Sequence, residues 1–197
     1  NPPDTKPDPP SSKPIEQIFV DVKADSWYHN AVQFVYDRNL LRGTDEIHFS
    51  PRINTTRGMV ATMLYRLAAE PAADNIDNIF KDVAEGRYYT AAVKWSADQK
   101  ILTGYENQLF LPDNNITREE FAAMLWRYTG SPAPQSAIVG YRDMPPSGSW
   151  SAAALCWAVE TGIIQGRASD TLAPHDYANR AEIAAMVMRF VESAGNQ

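Results

Sequence analysis

One segment of about 60 residues is written three times in this chain, and the repeat fixes what it can fold into. Phe19-Val20-Asp21-Val22 recurs as Phe80-Lys81-Asp82-Val83 and as Tyr141-Arg142-Asp143-Met144, so the acidic residue advances by 61 positions at each step. Gly43, Gly104 and Gly166 follow the same rhythm, as do Pro51, Pro112 and Pro174, then Arg57, Arg118 and Arg180; the third copy runs one residue long before Trp150. The copies are read as 19–79, 80–140 and 141–197. Units this small bury too little surface to be secure alone, so they are expected to pack into one trimer-like body with a shared core and grooves where copies meet.

Two helices per copy follow from apolar spacing. The first carries Trp27, Ala31, Phe34 and Val35, matched by Tyr88, Ala92, Trp95 and Ser96, then by Trp150, Ala154, Trp157 and Ala158, one stripe at i, i+4, i+7 and i+8. A glycine, Gly43, Gly104 or Gly166, then reads as a chain-reversing residue. In the second helix Val60, Met63, Leu64 and Leu67 are matched by Phe121, Met124, Leu125 and Tyr128, then by Ile183, Met186, Val187 and Phe190. Both stripes read as core.

Residues 1–18 carry prolines at 2, 3, 7, 9, 10 and 14 and read as a semi-extended linker, which suggests a terminal module cut from a longer protein. Residues 70–79 and 129–140 connect the copies. A net charge of -6 with no basic stripe argues against nucleic acid as partner. Cys156 is the single cysteine, which excludes an internal disulfide, and its apolar setting reads as a small buried residue. No apolar run is long enough to cross a bilayer. His29, His48 and His175 occupy unrelated repeat positions and show no metal-ligand spacing.

Before each second helix stand Thr56-Arg57-Gly58-Met59, Thr117-Arg118-Glu119-Glu120 and Asn179-Arg180-Ala181-Glu182. Thr or Asn followed three residues later by Glu is a capping box, complete in copies two and three and broken in copy one by Met59. The arginine needs another reason, because a cation at a helix N-terminus opposes the dipole by roughly 0.3–1 kcal/mol. Two readings stand level: an ion pair with Asp21, Asp82 or Asp143, and a site for a ligand carboxylate or phosphate built from guanidinium and backbone amides. Aromatic residues at the start of the first helix, Trp27-Tyr28, Tyr88-Tyr89 and Trp150, offer flat faces suited to sugar rings, although packing has the stronger claim on each.

At these residues the chain resembles the S-layer homology family, whose repeat opens with Phe-x-Asp-Val and reaches Thr-Arg-Ala-Glu before its second helix; the resemblance covers residues 19 to about 192. It implies an all-α, mostly helical fold: a pseudo-threefold spindle of helix-loop-helix repeats around a central three-helix bundle. It also implies a cell-wall anchor at the bacterial surface, extracellular, without catalysis, cofactor, metal or membrane insertion, whose partner is a secondary cell wall polysaccharide bearing ketal-linked pyruvate. The residues carried over are Arg57, Arg118 and Arg180, with Glu120 and Glu182 organising the loop and Gly43, Gly104 and Gly166 permitting close backbone approach. Asp21, Asp82 and Asp143, with Trp27, Tyr88 and Trp150, complete the candidate set. Because Met59 and Asn179 depart from the pattern, the grooves are expected to differ, with that of Arg118 the best match.

Two other readings compete: a protein-interaction or self-assembly module, and a glycosidase using paired carboxylates such as Asp113 and Glu120, for which only the presence of carboxylates speaks.

Overall fold

Six α-helices, two in each copy, carry the chain: α1 (His29–Asp37), α2 (Arg57–Leu67), α3 (Thr90–Asp98), α4 (Arg118–Tyr128), α5 (Ala152–Glu160) and α6 (Arg180–Ala194). The computed structural model describes residues 13–135 and 140–194, and among these no β-sheet forms. The all-α reading holds.

The order of packing ties the copies together. α3 lies on α2, α5 on α4, and α1 on α6, so each first helix packs on the second helix of the preceding copy and the last pairing closes the circuit. The segments entering the second helices are stitched in the same cyclic order by isolated antiparallel bridges, Thr56 with Asn115, Thr117 with Tyr177, and Asn179 with Asn54. Backbone bonds repeat the pattern: the amides of Arg57, Arg118 and Arg180 donate to the carbonyls of Asn114, Asp176 and Ile53. Two of the orphan donors at each helix start thus find partners in another copy, which makes the copies interdependent.

The second-helix stripes are core as read: Val60, Met63 and Leu64, then Phe121, Met124 and Leu125, then Ile183, Met186, Val187 and Phe190 are buried. The first-helix stripe needs a correction at its leading position. Trp27 and Trp150 are 66% and 57% exposed and precede their helices, while Tyr28 packs on the core and Tyr89 is buried within it.

The chain reversal after the first helix falls on Asn39, Lys100 and Gly162, which take left-handed φ of 55°, 58° and 71°. Gly43, Gly104 and Gly166 do not take it. They are glycine because an added Cβ would lie under 3.0 Å from the rings of Phe19, Phe80 and Tyr141 and from nearby backbone carbonyls. The aromatic that opens each copy therefore packs on the glycine about 24 residues on, one reason why the two landmarks recur together. Gly58 has a similar role toward the ring of Tyr89, which lies 3.0 Å from where its Cβ would stand.

The linker boundary also moves. Residues 1–12 lie outside the described residues, but Ile15–Gln17 form a 3₁₀ turn whose Ile15 is fully buried in the core. Glu16 fastens this turn to α1 by a 2.7 Å contact with His29 Nε2. Cys156 is half-buried rather than buried. No helix among the described residues is long and apolar enough to cross a membrane.

Candidate ligand-binding grooves

Arg57, Arg118 and Arg180 each begin a second helix, and all three are 3–4% exposed. Burying a guanidinium is costly unless its donors are satisfied, and here they are. Arg57 donates Nε to the carbonyl of Phe110 and Nη2 to that of Thr103, while Nη1 meets Glu120 Oε1 at 3.0 Å. Arg118 repeats this on Leu172 and Gln165, with Glu182 Oε1 at 3.7 Å. Arg180 donates to Phe49 and Arg42, but its Nη1 faces Met59 Sδ at 3.9 Å. Burial pushes Arg180 down to about 10, with the charge of Asp21 pulling the other way.

The expected Asp–Arg ion pair does not form among the described residues. Asp21 accepts the amides of Phe49 and Ser50, Asp82 those of Phe110 and Leu111, and Asp143 those of Leu172 and Ala173, at 2.7–2.9 Å. The second residue of each pair is held left-handed, at φ of 58°, 58° and 56° for Ser50, Leu111 and Ala173, a conformation unfavourable for non-glycine residues. Two charge-assisted bonds from one carboxylate fix the turn. Burial would raise the Asp143 carboxyl, but the amides of Leu172 and Ala173 outweigh it and hold it below the ordinary value. Each turn is thus gripped from both sides, by the aspartate of its own copy at the amide and by the arginine of the preceding copy at the carbonyl.

The glutamates serve a neighbour's arginine as well as their own cap. Glu120 Oε2 accepts the Thr117 amide in a complete capping box, leaving Oε1 for Arg57 and for the Tyr105 hydroxyl. Burial first, and this bond second, raise Tyr105 to about 12. Glu182 closes the box with Asn179 and meets Arg118 and Arg167. Copy one's missing glutamate therefore affects Arg180, which meets Met59, and not Arg57.

These contacts line two clefts that repeat each other around the molecule. The first, of 180 Å³, is bounded by Arg57 from copy one, Gly104, Glu120 and Arg127 from copy two, and Trp150 from copy three. The second, of 160 Å³, is bounded by Arg118 from copy two, Gly166, Glu182 and Arg189 from copy three, and Trp27 from copy one. Every groove of this kind needs all three copies. By the same rotation Arg180, Gly43, Met59, Arg66 and Tyr88 hold the corresponding third positions, where Tyr88 is half-buried.

The S-layer homology domain family matches the chain at residues 18–58, 79–122 and 140–184. The chain belongs to that family. Each match takes in one first helix and the start of the second, with the arginine near its C-terminal end. Over 185 residues it is 25% identical to an amylopullulanase of Thermoanaerobacterium thermosulfurigenes, covering 92% of this chain and 10% of the relative. It is 24% identical over 188 residues to the S-layer protein sap of Bacillus anthracis, covering 92% of this chain and 22% of the relative. A cellulosome-anchoring protein of Acetivibrio thermocellus is 32% identical over 98 residues, 48% of this chain and 22% of that protein. The chain thus spans a tenth to about a fifth of the length of these curated relatives. As an S-layer homology module it is a surface-anchoring unit of the cell wall.

Sequence reasoning missed Arg127 and Arg189, although Arg66, Arg127 and Arg189 stand nine residues after Arg57, Arg118 and Arg180 in an unbroken third series. The histidines, read as incidental, each meet a carboxylate: Glu16, Asp45 and, for His175, the buried Glu119.

Proposed function

We propose that this chain is a non-catalytic module that binds an acidic secondary cell wall polysaccharide in the grooves between copies and so tethers a longer exported protein to the bacterial surface, its three units arranged as a pseudo-threefold spindle. The observation that carries the reading is the clefts themselves, each placing an exposed tryptophan beside arginines. A flat indole suits the C–H face of a pyranose, and arginine suits a carboxylate such as that of ketal-linked pyruvate. The buried Arg57, Arg118 and Arg180 and their aspartates hold the groove walls. Gly104 and Gly166 line the clefts, and in this reading the sugar approaches them as closely as the family's rings allow. Repetition around one body supplies avidity on a repeating polymer. The net charge of -6 is no obstacle, because exposed charges beyond about 10 Å are largely screened at 0.1 M salt. The relatives named for S-layer and cellulosome-anchoring roles support the anchoring function, and the amylopullulanase supports a module joined to a separate enzyme.

Cosedimentation with purified cell walls, before and after the polysaccharide is stripped from them, tests the proposal. Binding lost with the polysaccharide is expected, and equal binding to stripped walls would refute it. Light scattering of the chain without glycan separates this function from self-assembly, which would give oligomers with no polysaccharide present.

A further inference from the structure

The two clefts differ in how many of their cations are already engaged. In the Arg118 cleft, Arg167 pairs with Asp176 and Glu182, and Arg189 donates to the carbonyl of Ile163 at 3.2 Å. In the Arg57 cleft, Tyr105 holds the position of Arg167 and spends its hydroxyl on Glu120. Arg57 itself is saturated by two carbonyls and Glu120. Arg127, half-buried in the cleft wall, makes no side-chain hydrogen bond or ion pair among the described residues. A guanidinium carries five donors, and leaving them unmet in a partly dry cleft is unfavourable.

We infer that Arg127 takes the acid group of the ligand in the Arg57 cleft, with Trp150 beside it, and that Arg57 is a positioning residue which holds the wall. For the sugar this rests on the glycan-binding function proposed above; for the anion it stands on the cleft alone. An arriving carboxylate would replace lost water at Arg127 and offset the nearby charge of Arg57. Burial first, and that charge second, depress the Arg127 guanidinium in the empty cleft, which is the environment an anion relieves. In the Arg118 cleft the same anion would have to displace Glu182 or Asp176 from Arg167, so the two clefts are unequal sites.

Two measurements test this. In the first, arginine-labelled chain is titrated with pyruvate, a small carboxylate, while the arginine Nε–Hε resonances are followed by NMR. A saturable shift at Arg127 with Arg57 and Arg180 still is expected; a silent Arg127, or an equal shift at Arg57, overturns the assignment. In the second, a hexopyranoside carrying ketal-linked pyruvate and its methyl ester are compared by calorimetry. Arg127→Gln should weaken the acid about tenfold and leave the ester unchanged, as loss of one charge-assisted contact requires, while Arg127→Lys keeps part of the preference and Arg52→Gln, at an exposed residue outside the cleft, keeps all of it. Full acid preference in Arg127→Gln defeats the inference and leaves the glycan function standing. Pyruvate held at Arg127 with neither glycoside bound leaves the anion site standing and defeats the glycan function.

Discussion

Asp82 and Arg57 come from different copies and hold the same residue, Phe110: the aspartate accepts its amide at 2.8 Å and the arginine donates to its carbonyl at 2.9 Å. Asp143 with Arg118 on Leu172, and Asp21 with Arg180 on Phe49, repeat the arrangement. It explains why the first and last polar landmarks of the repeat recur together without ever pairing.

The aspartate stabilises a strained turn. Asp143→Asn is expected to lower stability by about 1–3 kcal/mol through weaker bonds to Leu172 and Ala173. Ala173→Gly, at φ 56°, should instead be neutral or stabilising by up to about 1 kcal/mol, as left-handed strain is removed. Urea unfolding of both variants measures the difference.

Met59 leaves Thr56 without its reciprocal cap and Arg180 without a carboxylate. Met59→Glu supplies both at once, and about 0.5–2 kcal/mol of added stability is expected. Thermal melting, evaluated at a common temperature, is the check.

Gly104 is crowded by Phe80 and the Leu109 carbonyl, so Gly104→Ala must push a ring or the backbone aside. A cost of about 1–3 kcal/mol follows. Gly86, with open space around its Cβ position but φ 73°, provides a comparison in which strain alone is felt.

The Glu16–His29 contact makes the attachment of Ile15–Gln17 pH-dependent. Its bond to Glu16 raises His29 above 6.5, and its bond to His29 lowers Glu16 below 4.5. The His29 contribution is therefore complete below 6.5 and lost as pH rises through the raised value, whereas that of Glu16 is complete above 4.5 and lost as pH falls through the lowered one. Amide exchange at Ile18 and Phe19 should be slowest between those limits and quicken toward alkaline pH, and in Glu16→Gln the alkaline quickening should disappear.

The helices were legible in the sequence because their stripes bury one face, and the family because ordered landmarks recur at one spacing. Partners across copies were not. Nothing in the order Thr117-Arg118-Glu119-Glu120 says that Glu120 serves Arg57 while Arg118 relies on Glu182, since the cyclic packing of first helices on preceding second helices creates those pairs. The expectation that Arg118 has the best groove assumed that a motif's arginine and glutamate share one. Gly43, Gly104 and Gly166 were misread as turn residues because crowding and positive φ select the same residue type. Trp27 and Trp150 fell at stripe spacing yet precede their helices, which leaves them free for the groove rims.

Calorimetric titration of an acidic wall-polysaccharide fragment into the wild type and into a Trp27→Ala/Tyr88→Ala/Trp150→Ala variant tests the anchoring account most directly, with far-ultraviolet circular dichroism confirming the fold of both. Two of these rings are more than half exposed, so the helices should persist. Saturable binding by the wild type, weakened at least about tenfold in the variant, is the predicted result, in line with about 1–3 kcal/mol for losing aromatic contacts. Equal affinity in the two proteins would contradict it.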